Sequence, residues 1–270
     1  MAITTLDGLI ASAKQQVRIV KTASATTIAG LPFTTLDLAG YPGAGSLAVG
    51  NTANGLVPTD ATAGFPLINA FGGGNTGYLQ AVDFGSSVAS RITLYDRVFH
   101  SGSYALTPTG TTTLASQPSY SGRMPDGTDF TNTELFLEVN VVIPATAVTV
   151  AVTYTNQSGT TGRTTGASGS LSGFTTRRLL PMPLQSGDSG VQKIESVIVG
   201  GTAAATGSVN VVVARRLWSN RAKIANDGGV DAFDATGLPV VFDTSAFWVV
   251  VEADSTSSGV PELVATVING

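Results

Sequence analysis

Of the chain's 270 residues, 43% are hydrophobic and 12% are charged, about half the usual charged share of a globular domain. Ample Val, Ile, Leu and Phe with little charge excludes a disordered chain, and a formal net charge of −4 argues against a nucleic-acid binder. The absence of Cys excludes disulfides, thiolate zinc sites and a Cys nucleophile, and a single His, His100, removes the commonest general-base routes.

The N-terminus lacks the basic and apolar regions of a secretory signal. The spacing predicts a helix instead. Leu6, Leu9, Ile10, Ala13 and Val17 fall three and four residues apart and make one apolar stripe. Thr4 or Thr5 can cap it, Asp7 sits favourably in the first turn, and Gly8 weakens it by roughly 1 kcal/mol relative to Ala. Such a helix needs a surface to pack on, either its own domain or a neighbouring subunit. Leu6, Leu9, Ile10 and Ala13 are therefore candidate partner contacts. Residues 1–30 read as helix and arm, with Arg18-Ile19-Val20-Lys21 as a short strand.

Residues 31–270 read as one β-rich body whose first part, 31–77, is rich in loops. Tyr41-Pro42-Gly43-Ala44-Gly45, Asn54-Gly55 and Gly72-Gly73-Gly74-Asn75 are turn signals. Long Gly-rich loops often make contacts outside their own domain. Tyr41 is the candidate contact there. Strands are expected at 78–83, 91–99, 133–143, 147–155, 190–199, 208–217 and 246–253, each rich in Val, Thr or aromatics and bounded by Gly, Pro, Asn or Asp. Leu135, Leu137 and Val139 alternate with Phe136, Glu138 and Asn140, a half-buried pattern. Asn156-Gln157-Ser158-Gly159 closes a hairpin after 148–154. The stretch 139–152 is cut by Asn140 and Pro144 and reads as strands, so no membrane span is expected. The fold class is mainly β, with a β-sandwich or jelly-roll-like body, a short N-terminal helix or arm and long Gly-rich loops.

Few residues suggest chemistry. Gly187-Asp188-Ser189-Gly190 matches the tetrapeptide around a serine-protease nucleophile, and His100, Asp126 or Asp129, and Ser189 follow that order. Val191 replaces the expected glycine, and no Asp is singled out to hold His100. The segment reads as a polar turn entering a strand. Asp227, Asp231 and Asp234 could hold a cation, but their spacing is not that of an EF-hand loop. Asp126-Gly127-Thr128-Asp129 reads as a turn. Gly72-Gly73-Gly74-Asn75 lacks the Lys of a phosphate loop. Glu134 and Glu138 share a strand face about 13 Å apart, too far for a glycosidase pair at roughly 5–9.5 Å. No catalytic, cofactor or metal residue is expected.

The basic clusters are Arg177-Arg178 and Arg215-Arg216, with Arg221 and Lys223. They pair with the chain's own acidic loops or with an acidic partner surface. Arg177, Arg178, Arg215 and Arg216 are thus further candidate partner contacts. Tyr41, Phe65, Phe71, Tyr104 and Tyr120 could bind glycans if exposed, or pack inside.

Several segments carry a resemblance. They are Ile3-Thr4-Thr5-Leu6-Asp7-Gly8-Leu9-Ile10, Ala39-Gly40-Tyr41-Pro42-Gly43-Ala44-Gly45 and Leu94-Tyr95-Asp96-Arg97-Val98-Phe99-His100-Ser101-Gly102, followed by residues 154–163 and 184–191. Together they resemble virion structural proteins of tailed bacteriophages. The resemblance implies a non-enzymatic head component made alongside the major capsid protein. It further implies a decoration or cement protein that clamps capsid subunits in the virion, assembled in the host cytoplasm. The partners would be the major capsid protein or other virion proteins, with a homo-oligomer in the virion and no nucleic acid or membrane. A minor capsid, neck, tail or fibre protein, receptor-binding included, is the alternative. A fibre would show repeats or heptads, which the sequence lacks.

Overall fold

The computed structural model describes Ile3 and residues 5–270. The elements in chain order are α1 (Leu6–Ala11), β1 (Ala13–Lys21), β2 (Pro32–Thr34), β3 (Gly40–Tyr41), β4 (Asn51–Leu56), β5 (Gly77–Ser86), β6 (Ser90–Ala105), β7 (Gly110–Thr113), β8 (Thr133–Val141), β9 (Val148–Asn156), β10 (Arg163–Thr164), β11 (Leu179–Pro181), β12 (Val191–Gly201), β13 (Ser208–Ala222), β14 (Asp227–Asp231), α2 (Phe233–Thr236), β15 (Val240–Val241), β16 (Phe247–Ala253) and β17 (Pro261–Asn269). The protein is mainly β, 47% strand and 6% helix, with a β-sandwich body and a short N-terminal helix. All seven expected strands coincide with observed ones.

The chain divides into two compact units. The first is Met1–Ser46, Thr59–Asp96 and Leu217–Gly270; the second is Leu47–Pro58 and Arg97–Arg216. The long strands β6 and β13 each run from one unit into the other.

In the first unit, an antiparallel sheet runs in the order β14-β5-β17-β1-β3, with β15 also on β5. Val17 and Ile19 of β1, Leu79, Val82 and Phe84 of β5, and Leu263, Ala265 and Val267 of β17 turn one face inward. Ile92 and Leu94 of β6 and Phe247, Val249 and Val251 of β16 meet them from a second sheet. Two sheets facing one apolar layer make a sandwich.

The predicted helix is shorter than its stripe. It ends at Ala11, and Ala13 and Val17 lie in β1. β1 pairs with β17 over eight consecutive residues, Ala13↔Asn269 to Val20↔Glu262. Val17, Ile19 and Lys21 are buried at period two. Ala13 and Val17 fit the helical and the alternating pattern alike, and the β-branched Val17, Ile19 and Val20 favour the strand. Pairing with β17, distant in sequence, decides the outcome. β1 is thus held in the sheet by β17 from Ala13 to Val20 and by β3 at Val20 and Lys21.

In the second unit, β10-β9-β12-β7 form one sheet. Val148, Val150, Val152 and Tyr154 of β9 and Val191, Ile194, Val197 and Val199 of β12 line the core. Leu135, Leu137 and Val139 of β8 and Val209, Val211 and Val213 of β13 face them. Beyond β8 lies β11, and β4 pairs with β6. The β8 alternation is not half-buried: Phe136 and Glu138 are 2% and 0% exposed, so both faces of the strand are covered. The expected hairpin is present, with Arg163 of β10 opposite Tyr154 of β9.

Candidate functional site

The N-terminal helix presents an apolar surface. The Gly8 amide donates to Thr5 Oγ1 at 3.1 Å, so Thr5 is the cap; Thr4 lies outside the described residues. Asp7 occupies the first turn. Leu9 is buried and anchors the helix, while Leu6 and Ile10 are 60% and 63% exposed. Of the four candidate contacts on the stripe, two therefore point outward from the helix, one points inward, and Ala13 is exposed on β1.

A second surface in the same unit is built on β1. Lys21 at the end of β1 is buried, and its ammonium donates to the carbonyls of Leu38 and Pro42, both at 3.2 Å. Burial lowers the Lys21 pKa, and Asp37 opposes this. These bonds hold the loop that carries Tyr41, which is 55% exposed. Gln15 Nε2 donates to the Asn69 carbonyl at 3.1 Å, and the Asn69 amide donates to Gln15 Oε1 at 2.8 Å. That reciprocal pair fixes the segment carrying Leu67, 66% exposed. Gln16, Arg18, Val20, Tyr41 and Leu67 line a cleft of about 650 Å³. Sequence reasoning found Tyr41 but missed Leu67 and the cleft, since only the β1 pairing places them together.

Of the other aromatics, Phe65, Tyr104 and Tyr120 are buried and Phe71 is half-buried. They are packing residues, and Tyr120 donates its hydroxyl to the Val191 carbonyl at 2.7 Å.

The arginines behave differently from one another. Arg178 lies 3.4 Å from the centre of the Phe174 ring, a cation–π contact, and burial lowers its pKa. Arg177 sits in a left-handed turn (φ 74°), its amide bonded to the Val139 carbonyl at 2.9 Å. Arg215 is only 6% exposed. Arg216 is exposed and reaches Glu134 at 3.5 Å. Arg221 pairs with Asp254.

The Gly187-Asp188-Ser189-Gly190 turn is a structural hub in the second unit. Asp188 accepts from Tyr154 Oη at 2.7 Å, Asn156 Nδ2 at 2.7 Å and Arg163 Nε at 2.9 Å. The Arg163 hydrogen bond, with those of Asn156 and Tyr154, holds its pKa down to about 2. Burial, then Asp188, pushes Tyr154 up to about 12. Asp188 is thus committed to the turn. Gly190 is required by close approach, because a Cβ there would lie 1.9 Å from the Phe130 carbonyl oxygen.

His100 is 5% exposed on β6, and its ring nitrogens meet no hydrogen-bond partner among the described residues. Burial, reinforced by Arg97, pushes its pKa down to about 2. A neutral, enclosed imidazole suits packing. Arg97 itself forms a bidentate pair with Glu138, Nη1–Oε1 at 2.9 Å and Nη2–Oε2 at 2.8 Å, both side chains fully buried. Asn210 Nδ2 donates to Glu138 Oε2 at 3.0 Å and to the Leu47 carbonyl at 2.7 Å. This network, missed in the sequence, ties β6, β8 and β13 to the strand-free segment at Leu47.

Asp227 and Asp231 lie on β14, not in a loop, and bond to neighbours in the first unit. Asp231 accepts from Trp218 Nε1 at 2.7 Å and Asn220 Nδ2 at 2.8 Å, and Asp227 accepts from the Lys223 amide at 3.1 Å. No group of three or more His, Asp or Glu residues among the described residues is placed to hold a metal. Gly72-Gly73-Gly74-Asn75 closes by the Asn75 amide bonding the Gly72 carbonyl at 3.0 Å. No helix among the described residues is long and apolar enough to cross a membrane.

No family model and no curated protein sequence matches the chain. Among solved structures, the VP2 subviral particle of infectious bursal disease virus aligns at 11% identity, covering 96% of this chain and 80% of that one, with a TM-score of 0.23. The T13 particle of the same virus aligns at 11% identity over 96% and 77% of the two chains, with a TM-score of 0.20. Its T=1 particles give 11% over 95% and 76%, with a TM-score of 0.18. Scores of this size carry no argument about this chain.

Proposed function

We propose that this chain is a non-enzymatic structural protein of a virion, a decoration or cement protein that binds neighbouring capsid subunits. The observation that carries the proposal is α1. It is capped by Thr5 and anchored by Leu9, yet it holds Leu6 and Ile10 outward at 60% and 63% exposure. An anchored helix with two apolar side chains in water is an arrangement completed by a partner surface. Arg177, Arg178 and Arg216 offer further contacts of the second unit. The resemblance of the 3–10, 39–45 and 94–102 segments to tailed-phage virion proteins supports the capsid as that partner. Repetition around a shell multiplies weak contacts into firm attachment.

Co-sedimentation with shells of the accompanying major capsid protein tests this reading. Saturable binding that is lost in a Leu6→Asp, Ile10→Asp double variant is expected. Absence of binding to any shell, or binding indifferent to both substitutions, would overturn the α1 contact. Saturation at only about a dozen copies, one per vertex, would favour a neck or tail position.

A further inference from the structure

We propose that the open edge of β1 takes up an extended acidic segment of a partner protein as an added strand. Neither Leu6 nor Ile10 lines the cleft at this edge, and the proposal stands whether or not the chain belongs to a virion.

The backbone supplies the first argument. β17 pairs with β1 from Ala13 to Val20, whereas on the other side β3 pairs only with Val20 and Lys21. The Thr22 amide donates to the Ala39 carbonyl at 2.9 Å, which fixes the alternation. In a regular antiparallel strand, Thr22, Val20, Arg18 and Gln16 then turn their N–H and C=O groups away from β17. Among the described residues, no hydrogen bond takes up those groups of Gln16 and Arg18. Two free rungs continue the ladder where β3 stops.

The second argument is the cleft. Its roughly 650 Å³ is lined by Gln16, Arg18, Tyr41 and Leu67, so an aromatic and an aliphatic side chain stand beside the free rungs. Alternate side chains of an added strand would find apolar contacts there.

Charge names the occupant. Lys14 and Arg18 are exposed on the same strand, and neither has a carboxylate partner among the described residues. Cations on an open edge repel an identical edge of a second copy and attract a strand of opposite sign.

The test is fluorescence anisotropy with a labelled short peptide alternating Glu and Val, titrated into the full chain. Controls are the Lys–Val counterpart and a Glu–Val peptide with Pro at its centre. Saturable binding of the acidic peptide that weakens with salt is expected, with both controls weaker by about tenfold or more. Arg18→Glu should weaken it by a similar factor. Gln16→Pro removes an outward N–H that β17 does not use, and should abolish binding while leaving the circular dichroism of the fold. No saturable binding by the acidic peptide, equal binding of the Lys–Val peptide, or indifference to both substitutions would overturn the proposal.

Discussion

Arg97 and Glu138 carry the second unit's most demanding interaction. Both are fully buried, and each neutralises a charge that could not otherwise leave water. Glu138→Gln removes the carboxylate that forms the bidentate pair with the buried Arg97 guanidinium and should cost about 3–5 kcal/mol in urea unfolding. Replacing both, as Arg97→Met with Glu138→Leu, should cost far less, because neither buried charge of the pair remains. His100 gives a pH dependence. Its native pKa is about 2 against an ordinary 6.5, so the unfolded chain binds the proton first. Stability from this group is complete above pH 6.5 and falls as the pH drops towards 2, by up to about 1.4 kcal/mol per pH unit. Between pH 6.5 and 4.5, above the range where the lowered Asp188 pKa matters, His100→Leu should show a flatter stability profile than the native chain. An equal slope in both would refute the assignment. Neither site was legible in one sequence. Glu138 reads as the polar side of an alternating strand, and nothing links it to a residue 41 positions away.

At the scale of elements, strands were more legible than their partners. Val- and Thr-rich runs located β5, β6, β8, β9, β12, β13 and β16, because β-branched side chains state their preference locally. β17 escaped: Pro261, Ala265 and Asn269 dilute that preference, and its place is set by β1 and β5 on either side. The helix reading failed from Ala13 onward for the same reason, since a ladder is invisible until its other strand is known. This distinction makes a prediction about truncation. Deleting residues 1–12 removes α1 and leaves β1, so cooperative thermal unfolding should persist. Deleting residues 1–21 removes a strand paired with both β17 and β3, and should abolish the first unit's cooperative unfolding. Loss of the fold in both deletions would show that α1 does more than present Leu6 and Ile10.

Across the whole molecule, composition conveyed the class and not the partition. Low charge, 32 glycines and abundant Val announce a β body. They do not reveal two sandwich cores assembled from discontinuous stretches, because β6 and β13 enter one core and leave by the other. The proposed contact surfaces follow that partition. α1 and the β1 cleft belong to the first unit, while Arg177, Arg178 and Arg216 belong to the second. A protein holding apolar side chains outward on a packed β scaffold is suited to joining other surfaces. The most direct test is quantitative mass spectrometry of density-purified, salt-washed particles from the cells that make this chain. The account predicts that it stays with the particles in a fixed ratio to the major capsid protein. Its absence from washed particles, with the chain still abundant in the soluble lysate, would contradict the account.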